Sequence, residues 1–388
     1  MKIYWLSDSP FLNTGFSTES LFLLNGLAKK GHECHYQTHG YHGQNLPKGN
    51  VKLEDGTPFD FHLYGQGMQP YALDVLQPRI REIKPDWFGV LLDTFMMYPH
   101  YLNMDFAPAK TTWWYPSDGG GGMPLNCEQI LRKVHLPVAM SRFAQKQVWD
   151  VHKIKTEYIP HGVFSNKFYK LNDVERINLR LRWGLQDKFV VGCVARNQGR
   201  KMLDRLIKIF SVFAPKHQNA MLLMHLDPSD SAAVFDMNQL IIRYGLQNRC
   251  IYTGMRYFKG FTYQQMNEVY NLMDVFLLPT SGEGFGVPIC EAASCEVPTL
   301  VTDYTTTQEL VMDDGQSGES IKLAGEITGS WNVERGVCDI QDGAEKLEKL
   351  YVDEGLRRLY GKNGRTKVLN LYDWHIVINS WEKMLKEH

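Results

Sequence analysis

The sequence lacks most of the features that would place it in a special class. No apolar run approaches the roughly 20 residues that cross a bilayer, so no membrane-spanning helix is expected. Charge of neither sign is in excess: 42 basic residues stand against 43 acidic ones, a formal net charge of -1. No global field therefore gathers nucleic acid or an anionic membrane, and only local basic patches remain. The 7 cysteines, Cys34, Cys127, Cys193, Cys250, Cys290, Cys295 and Cys338, contain no C-x-x-C pair, and their count is odd. Several lie in apolar runs, as Cys193 does in Val190-Val191-Gly192-Cys193-Val194, so small buried hydrophobes in a reducing compartment are expected. The apolar start of Met1 to Asp8 is too short for a signal peptide. A cytoplasmic location is expected, with a peripheral membrane contact left open. No G-x-G-x-x-G opens a helix with an acidic residue about 20 positions on, which argues against a dinucleotide-binding dehydrogenase. No D-x-D motif, low-complexity segment or short-period repeat occurs.

What is present reads as two ordinary domains. The chain has 388 residues, 44% of them apolar and 12% aromatic, enough for a sizeable core in each half. Strand and helix patterns alternate from the start. Ile3 to Leu6 reads as a strand, Ser7 to Gly15 as a loop, and a helix follows from about Ser17, with Gly31 as its cap. Glu33 to Gln37, Phe88 to Leu92, Thr111 to Tyr115, Leu136 to Met140 and Tyr158 to Pro160 read as further strands, and Ser141 as a helix N-cap. A second cycle starts with a helix over Val174 to Trp183. Strands follow at Phe189 to Ala195, Met221 to His225, Cys250 to Thr253, Val275 to Leu278 and Pro298 to Thr302. Leu203, Leu206, Ile207 and Phe210 mark one helix face, Tyr263 to Leu272 is another helix, and Ala344 to Lys386 is mainly helical with a break near Asp373. Two successive doubly wound α/β domains are the expectation, divided near residues 160–170.

Four features carry chemistry. The stretch Arg196-Asn197-Gln198-Gly199-Arg200-Lys201 directly follows a strand. Open parallel sheets bind ligands beyond the carboxyl ends of their strands, and cations there suit a diphosphate. The second feature is Ser281-Gly282-Glu283-Gly284-Phe285-Gly286-Val287-Pro288-Ile289-Cys290-Glu291-Ala292. Its glycines admit a ligand close to the backbone. Pro288 suits the first turn of a helix. The free N–H groups at that helix start can hold phosphate oxygens or sugar hydroxyls. Glu283 in the loop and Glu291 a turn into the helix are acceptors for vicinal hydroxyls. The third feature is Val301-Thr302-Asp303 through Glu309-Leu310-Val311, with Gly315 and Gly318 after it. The fourth is Asn13-Thr14-Gly15, where Gly15 opens a helix that can face a phosphate. The run Gly119 to Gly122 implies a backbone that is mobile or that must approach a ligand closely.

In this order the motifs resemble the retaining nucleotide-sugar glycosyltransferases of family 4. The resemblance spans nearly the whole chain and is densest over residues 158–318. It rests on Glu283 with Glu291, on Arg196 with Lys201, on Tyr158-Ile159-Pro160-His161-Gly162-Val163, on Ile251-Tyr252-Thr253-Gly254, and on Lys84-Pro85-Asp86 and Met140-Ser141. It implies the GT-B architecture: two doubly wound Rossmann-like domains facing a central cleft. Residues 1–163 would form the acceptor-side domain, with a helix of about 373–388 packed back on it, and 164–372 the donor domain.

The resemblance also implies roles. Arg196 and Lys201 neutralise the leaving diphosphate, Glu283 binds hydroxyls of the moving sugar and Glu291 holds the ribose. The Phe285, Gly286 and Val287 backbone meets sugar or diphosphate, and Asn197, Gly254 and Gly15 complete the donor site. No metal and no cofactor are implied; the co-substrate is a UDP- or GDP-linked sugar. The acceptor stays open among a glycan, lipid carrier, metabolite, protein or modified nucleic acid base. Oligomeric state is not implied.

The chain departs from the family in one place. Many members carry a histidine after a middle strand of the first domain, where this chain reads Trp114-Tyr115-Pro116-Ser117-Asp118-Gly119. Asp118 is the nearest group there that can orient an acceptor hydroxyl or the sugar; it can equally shape the turn. His161 either reaches the cleft or is structural, and Trp113 and Trp114, on opposite strand faces, suit core packing. Asp227-Pro228-Ser229-Asp230 reads as a turn. The competing functions are a phosphorylase on the same fold and a nucleotide-sugar-binding protein without transferase activity.

Overall fold

A computed structural model describes residues 1–52, 56–256 and 260–388. The chain divides into two compact units, one of residues 1–117, 122–162 and 374–388, the other of 118–121 and 163–373.

The first unit is built on a parallel sheet. Lys2–Asp8 forms β1, Gly15–Lys29 α1, Glu33–His39 β2, His62–Tyr64 β3, Leu76–Ile83 α2, Trp87–Leu91 β4, Lys110–Tyr115 β5, Leu125–Lys133 α3, Leu136–Ala139 β6, Arg142–His152 α4 and Glu157–Tyr158 β7. The strand order is β3-β2-β1-β4-β5-β6-β7, with every neighbouring pair parallel. Both faces of such a sheet are covered, which is why its central strands read as unbroken apolar runs. Thr14 caps α1 by accepting from Ser17 N at 3.1 Å, and Ser141 caps α4 by accepting from Ala144 N at 3.0 Å. Trp113 and Trp114 are fully buried, their indole N–H groups bonded to Leu92 O and Ile159 O, each at 2.8 Å.

The second unit repeats the plan. Asp173–Arg182 is α5, Phe189–Val194 β8, Leu203–Phe213 α6, Ala220–His225 β9, Met237–Arg243 α7, Cys250–Tyr252 β10, Tyr263–Leu272 α8, Val275–Leu278 β11, Val287–Ser294 α9, Thr299–Thr302 β12, Thr307–Val311 α10 and Gly318–Ile321 β13. Its parallel sheet runs β10-β9-β8-β11-β12-β13. Leu203, Leu206, Ile207 and Phe210 of α6 are all buried. The strand order reverses between β8 and β11, so the loops after these two strands flank the switch point where doubly wound sheets bind ligands.

An antiparallel ribbon, β14 (Leu323–Thr328) with β15 (Glu334–Cys338), was not apparent in the sequence. β14 is mostly exposed and β15 half-buried to buried, and neither carries the apolar alternation that marks a half-buried strand. Helices α11 (Ile340–Val352) and α12 (Glu354–Lys367) follow, then a π-helical turn over Val368–Tyr372. The last helix, α13 (Trp374–Glu387), belongs to the first unit.

One boundary needs correction. Residues 118–121 group with the second unit, not with residues 1–163 as the sequence suggests. The cause is backbone pairing: Gly120 N donates to Glu334 O at 2.9 Å and Glu334 N to Gly120 O at 3.2 Å.

Candidate active site

The loops after β8 and β11 are tied to each other through one carbonyl. Arg200 O accepts from Ser281 N at 2.7 Å, from Ser281 Oγ at 2.9 Å and from Thr280 Oγ1 at 3.2 Å. This brings Lys201 and Glu283, 82 residues apart, into contact: Lys201 Nζ lies 2.6 Å from Glu283 Oε1, and both side chains are buried. Arg200 Nη1 lies 2.9 Å from Glu283 Oε2. Burial alone would push the Glu283 carboxyl up, but the Lys201 and Arg200 cations outweigh it and hold it at about 2. Thr305 Oγ1 accepts from Glu283 N at 3.1 Å, which pins the loop from the β12 side.

Gly286 has φ +107°, a conformation that favours glycine, and places Val287 at the start of α9 with Pro288 in its first turn. Glu291 follows one turn later. Tyr270 donates its hydroxyl to Glu291 Oε2 at 2.6 Å. Burial pushes the Glu291 carboxyl up to about 7, with the Tyr270 bond acting in the opposite direction. The two glutamates, the same residue type eight positions apart, are thus shifted in opposite directions. Phe285 is buried against Tyr372, ring centroids 5.5 Å apart.

The remaining candidates fall into separate settings. Arg196 Nε lies 2.8 Å from Asp230 Oδ2, so its charge is met by Asp230 and it does not share Glu283 with Lys201. Asp230 belongs to the turn in which Asp227 Oδ1 accepts from Ser229 N at 2.9 Å. Asn197 is buried, its amide donating to Phe235 O at 2.7 Å and accepting from Phe235 N at 3.1 Å, which anchors the chain after that turn. Gly254, with φ +79°, follows β10 and has open space on its Cβ side. Before it, Thr253 Oγ1 lies 2.8 Å from His225 Nδ1, and burial lowers this histidine to about 4, leaving it neutral.

Asp118 is drawn into the second unit by two arginines. Arg335 Nη2 lies 3.0 Å from Asp118 Oδ1 and Arg200 Nε 3.8 Å from Oδ2. Gly15 is the first residue of α1, in the first unit. His161 is buried there, edge-on to Trp114 at 4.6 Å, with Nδ1 3.9 Å from Glu19 Oε2; burial lowers it to about 3. Sequence reasoning missed Arg200, Arg335, Tyr270 and His225 as parts of this site. Arg200 and Lys201 stood side by side, but nothing local distinguishes a solvent-facing arginine from one that holds Glu283. Among the described residues, no group of three or more His, Cys, Asp or Glu is placed to hold a metal ion, and no helix is long and apolar enough to cross a membrane.

Residues 176–367 match the model of the family described as Glycosyl transferases group 1. That stretch contains Arg196, Lys201, Glu283 and Glu291. A capsular polysaccharide biosynthesis glycosyltransferase of Staphylococcus aureus, CapM, is 31% identical over 200 residues, 52% of this chain and 46% of CapM. The chain therefore spans about half the length of that relative. Among solved structures, sucrose-phosphate synthase from Thermosynechococcus elongatus is similar with a TM-score of 0.78 at 16% identity, covering 100% of this chain and 98% of that one. HepE of Anabaena, in complex with UDP-glucose, has a TM-score of 0.74 at 16% identity and covers 100% of both chains. At these identities the likeness is one of fold: two Rossmann-like α/β domains of the GT-B glycosyltransferase type. The family match and the named relatives support a glycosyltransferase.

Proposed function

We propose that this chain is a retaining, metal-independent glycosyltransferase of family 4 that moves a sugar from a nucleoside-diphosphate sugar to an acceptor hydroxyl. The observation that carries the reading is the buried Lys201–Glu283 pair, with the half-buried Arg200 beside it, at the switch point of the second sheet. Cleavage of a sugar–phosphate bond builds negative charge on the departing diphosphate. Cations fixed in advance where that charge develops lower the barrier, and Lys201, Arg200 and Arg196 supply them without a metal ion. No cofactor is needed in this scheme. The N–H groups at the start of α9 add donors for the diphosphate or the sugar.

Glu283 binds sugar hydroxyls as an ionised acceptor. Its two oxygens are engaged by Lys201 and Arg200, which supports a binding role and retention by front-face attack over a covalent glycosyl-enzyme. Glu291 binds the ribose. The donor is a UDP- or GDP-linked sugar: HepE holds UDP-glucose, and a relative 26% identical over 169 residues is named as GDP-mannose-dependent. The acceptor class is left unassigned, and a cytoplasmic location goes with the reading.

The test is the melting temperature of the protein against uridine, guanosine and adenosine diphosphates and their sugars, with EDTA present. A ligand that binds only the native state raises it. One nucleotide should raise it selectively in EDTA, the rise should vanish in Glu291→Ala, and Lys201→Ala should lower turnover by about 10²–10³-fold. No rise with any nucleotide would overturn the reading.

A further inference from the structure

The first unit holds a second concavity with its own chemistry. β2 and β3 are parallel neighbours, and the chain beyond their carboxyl ends forms two loops. These are tied together: Gln66 N donates to Tyr41 O at 2.8 Å and Gly65 N to Asn45 Oδ1 at 3.1 Å. A Cβ on Gly65 would stand 2.4 Å from Gly43 O, so glycine is what lets the loops close up. Beside them lies a cavity of 420 Å³ whose wall includes His42, Gln44, Asn45 and Arg79 of α2. That volume is within the about 300–1,000 Å³ typical of small-molecule sites.

Arg79 is the unusual member. It is partly buried, and every hydrogen-bond and ring partner it has is neutral. Its guanidinium lies 4.8 Å over the Tyr64 ring, donates to Gly65 O at 3.0 Å and to Gln37 Oε1, and reaches Asn45 Oδ1 at 3.4 Å. Among the described residues no carboxylate comes within 4.0 Å of it. Asp74 acts on it electrostatically only from beyond that distance, and its oxygens already accept from Met68 N at 2.9 Å and Gln69 N at 3.1 Å. A guanidinium has five N–H donors, and these bonds leave some unspent. Taking a cation partly out of water without a counter-charge in contact is unfavourable, and an anion in the cavity would relieve it.

We infer that this cavity is a ligand site for an oxyanion head group, phosphate or carboxylate, on a hydroxyl-bearing small molecule. The planar fork of Arg79 matches either oxyanion. The exposed side chains of Gln44 and Asn45 offer donors and acceptors to hydroxyls. The inference goes beyond the donor reading and does not rest on it.

Calorimetric titration of the full chain with glucose, glucuronate and glucose 6-phosphate at fixed ionic strength tests it. At least one of the two anions should bind about tenfold or more tightly than glucose, and the tighter of the two names the head group. Gln44→Glu adds a negative charge at an exposed rim position whose side chain holds nothing in the fold. It should weaken that binding about fivefold or more, while Lys201→Ala leaves it unchanged. Binding of glucose as tight as that of both anions, or no binding at all, would overturn the inference. So would equal binding in Gln44→Glu, or loss in Lys201→Ala, which would put the anion in the donor site instead. Arg79→Met should abolish binding, with the exposed-rim variant serving if it does not fold.

Discussion

At the scale of single residues, the two glutamates make opposite linkage contributions. Glu283 is held below its ordinary value of 4.5, so its contribution to stability is present above that value and is lost as pH falls toward about 2. Glu291 is raised from 4.5 to about 7 and binds its proton more tightly folded than unfolded. Its contribution therefore falls as pH rises from 4.5 to about 7 and is level beyond. If Glu291 accepts from the ribose as its carboxylate, donor affinity should rise with pH, approaching about tenfold per unit well below the midpoint, and level off above about 7. Tyr270→Phe removes the hydrogen bond that favours the charged form. A bond to a charged group is worth about 1.5–3 kcal/mol, so the midpoint should move up by about one to two units. The measurement is affinity for the nucleotide-sugar, whose diphosphate diester does not titrate near neutrality, in wild type, Tyr270→Phe and Glu291→Gln. A profile that persists in Glu291→Gln would remove Glu291 as its source. The positions of Glu283, Glu291 and Lys201 were legible in the sequence because glycine and proline fix their local context. Their protonation states were not, because those depend on Arg200, 83 residues before Glu283, and on Tyr270, 21 before Glu291.

At the scale of elements, the four-glycine run shows what local reading leaves open. It signalled either a mobile backbone or close approach to a ligand. The structure gives close approach to the chain itself. A Cβ on Gly119 would stand 2.2 Å from Val333 Cγ1, and one on Gly120 2.6 Å from the Tyr304 hydroxyl. Gly282 is constrained in the same way, since a Cβ there would lie 1.9 Å from Asp118 O. The partner, β15, carries no strong strand pattern, so nothing in the sequence announced that these segments meet. Arg335 secures the arrangement by pairing with Asp118 and donating to its carbonyl. Arg335→Ala should cost about 1–3 kcal/mol locally. The Gly120 amide, bonded to Glu334 O at 2.9 Å, should then exchange its hydrogen about tenfold to a hundredfold faster, as local opening becomes easier. Amides of β8 should keep their protection. Unchanged exchange at Gly120 would mean that the backbone pairing holds the segment without the ion pair.

At the scale of the whole molecule, the first unit is closed by the last residues of the chain. The pattern of α13 was visible as a helix beyond a break near Asp373, and its destination was implied only by resemblance. Trp381 of α13 is fully buried, with its ring 5.4 Å from Trp5 of β1 and 5.2 Å from Trp114 of β5. Trp87 donates to Leu385 O at 3.1 Å, and Gly26 of α1 lies so close to Ile378 that a Cβ would stand 2.2 Å from its Cδ1. A tryptophan buries about 150–250 Å², worth about 4–6 kcal/mol at about 25 cal/mol per Å². Trp381 alone is thus comparable with the whole stability of many domains, about 5–15 kcal/mol. Deleting residues 374–388 also removes Trp374, Val377 and Met384, all buried, and so exposes the surface they cover. The deletion should strip hydrogen-exchange protection from β1 and β5, which face α13. The strands β8 and β11 belong to the other unit and have their own core, so their protection should survive. Retained protection in β1 would mean that the first sheet closes without its last helix. Loss in both units would mean that they fold as one cooperative body, in which case the melting shift expected from a nucleotide would report on the entire chain.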